Sequence, residues 1–180
     1  MRIISGSLRG KKITPPANYN ARPTTDFAKE GLFNILSGEI DYEDVSFLDL
    51  FSGTGGISYE MASRGCRDIV AVEMNPVNCS FIKKTAAELK IEGMQAVHHN
   101  VFDFIGICTK AFDLIFADPP YALEGLNTLP AKVLAAPMLA PGGMFILEHP
   151  ADYSFEGEPG FKKEKKYGNV HFSFFEKKLQ

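Results

Sequence analysis

The sequence predicts an α/β protein: a doubly wound, mostly parallel seven-stranded sheet with an antiparallel C-terminal hairpin, preceded by a small N-terminal β-hairpin and a helix. Three observations carry this. From Val45 onward, continuous apolar runs that suit buried strands alternate with stretches that suit helices. A glycine-rich turn, "SGTGG" (52–56), follows the first of those runs. The end of the chain breaks the alternation, because "FKKEKKY", "GN" and "VHFSFFEK" read as two strands around a tight turn.

The elements follow in order. Residues 2–14 read as a hairpin, "RIIS" and "KKIT" around a Gly/Ser turn, closed by Pro15 and Pro16. "RPTTDFAKEGLFNIL" reads as a helix opened near Thr25 and Asp26, with Ala28, Leu32, Phe33 and Leu36 on one side. An acidic stretch, Glu39 to Asp44, leads to the strand "VSFLDLF". A helix through "ISYEMASR" ends at Gly65. The strand "DIVAVE" precedes a helix from Pro76 to about Lys90, with Asn75 as N-cap and proline at its first position. "QAVHH" is the third strand and "FDLIFA" the fourth. A helix around Leu126 to Ala136 and the strand "GMFILEH" complete the alternation. We divide the chain into a basic hairpin appendage, residues 1–22, and a main domain, residues 23–180.

A chain of 180 residues suffices for one domain with a sizeable core. No apolar run approaches the roughly 20 residues of a membrane helix, and the N-terminus lacks a signal-like apolar stretch, so we expect a cytoplasmic protein without membrane contact. Cys66, Cys79 and Cys108 lie far apart, which suggests reduced thiols and no zinc site. The net charge of −3 is unevenly spread. Residues 1–25 carry Arg2, Arg9, Lys11, Lys12 and Arg22 and no acid, which leaves −8 on the rest. Such basic runs are commonly solvated faces, but they also permit local contact with phosphates.

The chemistry concentrates at strand ends. "FADPPY" (116–121) follows a buried strand; prolines stop strands and Asp is a common turn residue, so punctuation is one reading. The other is a rigid corner holding an acceptor carboxylate, a carbonyl and a stacking ring. The turn at 51–56 lets backbone approach a ligand at a helix N-terminus, although its G-x-G-G spacing differs from the dinucleotide-binding G-x-G-x-x-G. Glu73, 20 residues beyond Gly53 at the end of the second strand, suits a carboxylate that accepts ribose hydroxyls. Asn100 ends the third strand, where its oxygen can accept from an adenine amine and the Val101 N–H can reach a ring nitrogen. In a doubly wound sheet these loops converge on one crevice. The four histidines, His98, His99, His149 and His171, have no metal-like spacing, so structural roles are expected and no metal.

The G-x-G turn, the acidic end of the second strand and "DPPY" after the fourth resemble class I S-adenosylmethionine-dependent methyltransferases that act on amino nitrogens. "RIISGSLRGKKI", "RPTTDFAKEGLFNIL" and "LDLFSGTGGISYEMASRG" resemble, more narrowly, the bacterial RsmD family, which methylates guanine N2 in 16S ribosomal RNA; the resemblance runs through the "KYGNVHFSFF" tail. It implies a class I methyltransferase, Rossmann-like fold with S-adenosyl-L-methionine held by Asp49, Phe51, Ser52, Gly53, Thr54, Gly55, Glu73, Met74, Asn100 and Val101. It implies Asp118, Pro119, Pro120 and Tyr121 at the transfer step: Asp118 and the Pro119 carbonyl accept the amine hydrogens, and Tyr121 stacks on a base turned out of its helix. Arg9, Lys11, Lys12, Arg22, Thr24 and Thr25 would contact RNA. The implied partner is 16S ribosomal RNA within a small-subunit particle, met by a monomer. Asn100 stands where the family more often has Asp, and Gly56 where Ser or Ala is commoner.

Three other functions fit parts of this pattern. An amino-methyltransferase of DNA adenine or protein glutamine shares "DPPY", but such enzymes usually carry a recognition domain for which 180 residues leave little room. A nicotinamide-dependent dehydrogenase would want the third glycine. A non-catalytic nucleotide-binding module would not need Asp118.

Overall fold

A computed structural model describes residues 1–19 and 24–179. Seven strands form one sheet: β1 (Ser46–Leu50), β2 (Asp68–Glu73), β3 (Met94–His98), β4 (Phe112–Ala117), β5 (Leu139–His149), β6 (Phe161–Tyr167) and β7 (Val170–Glu176). Their order across the sheet is β3-β2-β1-β4-β5-β7-β6. The first five pair in parallel and β7 runs antiparallel to both β5 and β6, as the change of pattern at the end of the sequence predicted.

Alternation along each strand decides what covers it. Leu48 and Leu50 of β1 face a core closed by α4 (Val101–Ile107) and α5 (Leu129–Ala135), through Phe104, Ile105, Leu129 and Val133. Phe47 faces the opposite core, closed by α1 (Asp26–Ser37) and α2 (Gly56–Ser63) through Leu32, Phe33, Ile57 and Met61. Asp49 shares the Phe47 side, which turns a carboxylate toward α2. Helix α3 (Pro76–Glu88) is entered as expected, with Asn75 accepting from the backbone N–H groups of Val77 and Asn78 and Pro76 in the first turn.

Several elements differ from expectation. Helix α4 has no counterpart among the expected elements; its signal is Asn100, three residues before Asp103, whose N–H the Asn100 side chain caps at 3.2 Å. The helix expected at 126–136 is split into a 3₁₀ turn, Leu126–Thr128, and α5. The N-terminal hairpin shrinks to one bridge, Arg2 with Lys12, and the segment is a turn-rich strap seated on α2.

That seating ties the basic N-terminal segment to the main domain. Glu60 of α2 is fully buried and accepts from the backbone N–H of Ile4 (2.8 Å) and Ser5 (3.1 Å), while Arg64 reaches it at 3.0 Å. Ser63 donates to the Ser5 carbonyl at 2.5 Å and accepts from the Leu8 N–H at 2.9 Å. Gly6, with φ at 87°, lies so close to α2 that a Cβ would stand 1.9 Å from the Ser63 carbonyl oxygen. Ile3 and Ile13 are buried beside Tyr59 of α2. The first fourteen residues share the main domain's core.

Candidate active site

The order reverses between β1 and β4, so the loops leaving β1, β2, β4 and β5 open on one crevice. Each loop delivers a carboxylate or a polar turn. After β1 the chain turns sharply, with positive φ at Phe51 (57°), Gly53 (59°) and Gly55 (91°). The turn is tied to β2, because the Ser52 N–H and hydroxyl both donate to the Val72 carbonyl, at 3.0 and 2.9 Å. Ser52, Thr54 and Gly55 are buried, and Gly53 presents bare backbone to the crevice.

Asp49 lies beneath this turn and is buried, accepting from the Ser58 hydroxyl at 2.6 Å. Burial pushes its carboxyl up to about 7; the Ser58 bonds pull the other way and nearby Glu73 adds to the rise. Glu73, at the end of β2, is also raised by burial, while the N–H groups of Asn75, Gly53 and Met74 hold it down. Its carboxylate accepts from the Asn75 N–H at 3.1 Å. Met74 is exposed and Val101 is buried at the start of α4. Asn100 touches the Met74 sulfur at 3.6 Å through its amide nitrogen and spends one oxygen lone pair on the α4 cap. A carbonyl-type oxygen has a second, so the cap does not exhaust it.

Asp118 follows β4 directly, its N–H 3.4 Å from the Leu50 carbonyl. Pro119 behind it is buried, Pro120 is exposed, and Tyr121 is half-exposed at the rim. The register places Ala117 level with Leu147, so the residues that follow, Asp118 and Glu148, lie side by side at the ends of β4 and β5. Thr24 bridges them: its hydroxyl lies 3.0 Å from Glu148 Oε2 and 3.5 Å from Asp118 Oδ2. Burial first, then the charge of Glu148, raises Asp118 well above the usual carboxylate range, and burial raises Glu148 to about 7. Glu148 was missed in the sequence, because nothing local sets the acid of "FILEH" apart from an ordinary strand-end acid.

Tyr19 is a second residue that the sequence reading missed. A Cβ on Gly53 would stand 2.8 Å from the Tyr19 hydroxyl, which also bonds the Thr54 side chain. Burial, and secondarily the charges of Asp118, Glu73 and Asp49, raise its phenol. A lone aromatic in a Pro/Asn-rich loop gave no periodic signal.

The residues expected at RNA divide. Arg9, Lys11 and Lys12 are exposed on the strap. Thr24 turns to the two carboxylates, and Thr25 caps α1 by accepting from the Ala28 N–H at 3.2 Å. Arg22 lies outside the described residues. His149 and His171 form a network with Glu164 across β5, β7 and β6. His171 bonds Glu164 at 2.7 Å, and His149 bonds Ser173 at 2.7 Å and the Pro150 carbonyl at 2.9 Å.

A doubly wound sheet of this order, closed by an antiparallel hairpin, with a glycine turn after β1, an acid after β2 and D-P-P-Y after β4, defines a class I methyltransferase. The comparisons narrow this. The model of the family described as Conserved hypothetical protein 95 matches residues 1–176, and the chain belongs to that family, the RsmD family. A curated relative from Buchnera aphidicola subsp. Baizongia pistaciae, Ribosomal RNA small subunit methyltransferase D, is 28% identical over 179 residues, covering 97% of this chain and 91% of that protein. The solved structure of Escherichia coli yhhF superposes with a TM-score of 0.86 at 27% identity, covering 100% and 99% of the two chains. A T. thermophilus 16S rRNA methyltransferase, RsmC, solved with AdoMet and guanosine, shares the fold at a TM-score of 0.67 and 24% identity, covering 86% of this chain and 44% of that one.

Proposed function

We propose that this protein transfers a methyl group from S-adenosylmethionine to the exocyclic N2 amine of a guanine in 16S ribosomal RNA, as a monomer meeting the RNA within a small-subunit particle. The observation that carries the reading is the meeting of Asp118 and Pro119 with the Gly53 turn and Glu73 on one crevice. The residues present fit a nucleoside cofactor. Gly53 has no side chain to exclude it, Glu73 offers a carboxylate to ribose hydroxyls, and Asn100 and Val101 offer polar groups beyond β3. Bound there, it would supply an electrophilic methyl group on sulfur.

The protein's own residues would then orient the acceptor. The lone pair of an aromatic amine is delocalised, so the amine is a poor nucleophile in water. Asp118 and the Pro119 carbonyl accept its two hydrogens and aim the lone pair at the methyl group. Tyr121 stacks on the base. Catalysis of this kind rests on positioning, which can contribute roughly 7–11 kcal/mol. Arg9, Lys11 and Lys12 would hold phosphates and set no sequence preference. Mass spectrometry of ribosomal RNA nucleosides with and without the gene tests the reading. Loss of N2-methylguanosine from the small-subunit RNA is expected, and an unchanged profile refutes it.

A further inference from the structure

Glu148 is 3% exposed at the end of β5 and lies next to Asp118, which keeps partial access to the crevice. Among the described residues, no Lys, Arg or His forms an ion pair with either carboxylate. The groups facing them are the Thr24 hydroxyl from the segment before α1, the Asp49 carboxylate from β1, the Tyr19 phenol, and the ring of Phe172 across from Glu148 on β7. None is a cation. A Thr24 hydroxyl has one hydrogen and cannot satisfy both acids. The register sets the two acids next to each other with a single hydroxyl hydrogen between them, and two buried like charges so placed favour keeping one proton on the pair. A glutamine would fill the same space without the cost of a buried charge, so a purely structural role does not call for an acid here.

We propose that Glu148 is a second carboxylate of the transfer site: it shares one proton with Asp118 beside the Thr24 hydroxyl, and the pair takes up the proton that the acceptor amine releases. The proposal rests on the amino-methyltransferase reading above. In the step, the amine lone pair forms the new N–C bond while the C–S bond breaks and its electrons stay on sulfur. Positive charge passes from sulfonium to nitrogen. The N–H proton then moves to Asp118, its bonding electrons remaining on nitrogen. The pair goes from one proton and one negative charge to two protons and none. Glu148 reaches the amine only through Asp118, so it is a positioning residue. A pair that takes up its second proton near neutral pH is well matched to such a base.

The test uses the full chain, its Glu148→Gln variant and Glu148→Asp as the conservative rescue. Carboxyl ¹³C NMR of the ligand-free protein reads the pair directly. Glu148 should titrate near 7 rather than its ordinary 4.5, and Asp118 should titrate at lower pH in Glu148→Gln. Single-turnover methylation of ribosomal RNA against pH gives the second readout. The Glu148→Gln rate should fall by about 10²-fold or more, with its acid limb shifted to lower pH, cofactor Kd unchanged and Glu148→Asp partly restored. An ordinary titration of Glu148, an Asp118 titration unmoved by the substitution, or superimposable pH–rate profiles would each overturn the pair. Wild-type protein inactive on ribosomal RNA would overturn the substrate assignment, and the NMR arm would still decide the pair.

Discussion

Replacing Glu60 should destabilise the fold far more than a surface acid would, because three separate elements use this carboxylate. It is fully buried and holds Lys29 of α1 at 3.6 Å, Arg64 at 3.0 Å and the N–H groups of Ile4 and Ser5. The Lys29 side chain is 5% exposed and also donates to the Arg2 carbonyl, at 2.6 Å. Glu60→Gln keeps the shape and removes the charge, leaving a buried ammonium without its counter-ion. Breaking such a pair costs about 3–5 kcal/mol. The lost charged bonds to Ile4 and Ser5 overlap with that figure and are not added to it. For a domain of this size the change corresponds to a Tm drop of roughly 6–20 °C. Urea unfolding gives the free energy, and hydrogen exchange at the Ile4 and Ser5 amides reports the strap. Lys29→Met combined with Glu60→Gln should be milder than the sum of the two changes, since no unpaired charge remains at Lys29. A Glu60→Gln loss under about 1 kcal/mol, or strictly additive double-variant energies, would refute this account of the strap.

Three further outcomes are expected. Glu73→Ala should weaken cofactor binding by about 1.5–3 kcal/mol per ribose hydroxyl lost, whereas Asp118→Ala should keep most cofactor affinity and lose nearly all turnover; calorimetry beside a methylation assay separates them. Asp49 and Glu148 are raised from 3.8 and 4.5 to about 7, so the native state holds more protons than the unfolded chain in that interval. Their contribution is fully present below those ordinary values and is lost as pH rises through about 7, so Tm of the ligand-free protein should fall over that range and fall less in Glu148→Gln. Neutralising Arg9, Lys11 and Lys12 together should weaken RNA binding and flatten its salt dependence while Tm stays within a few degrees; an unchanged salt slope would remove these residues from the interface. Deleting residues 1–14 is the poorer experiment, because it also strips the partners of Glu60 and Ser63 from α2.

How much of this was legible in the sequence depends on the range of the interaction. Elements defined by local chemistry were readable: Asn75 and Pro76 open α3, Thr25 caps α1, and the apolar run "FDLIFA" is β4 to the residue. The crevice was readable too, because a parallel sheet brings successive strand ends together whatever lies between them. The strap was misread because "RIIS" and "KKIT" show strand-like propensity, and the partner that holds them, Glu60, lies more than fifty residues away. Glu148 was invisible for the same reason. Its meaning comes from Asp118 on the neighbouring strand and Thr24 before α1, and nothing local distinguishes it from an ordinary strand-end acid.

The charge distribution links these features. Asp49 and Glu73, beside the glycine turn, are both raised by burial, so their ionised forms bear an electrostatic cost that a nearby cation would relieve. A sulfonium donor is such a cation, and its thioether product is neutral. Acids placed to hold the donor would therefore also favour its exchange once the methyl group has gone. They also repel the phosphates of an RNA substrate, and the positive charge that offsets this lies elsewhere, with Arg9, Lys11 and Lys12 on the strap. Seating the strap on α2, the helix that follows the glycine turn and bonds Asp49 through Ser58, keeps that positive charge at a fixed place beside an acidic site. A flexible tail of equal charge would attract RNA as strongly without presenting one base to Asp118, and its contacts would carry the ordering entropy that the docked strap has already lost in folding.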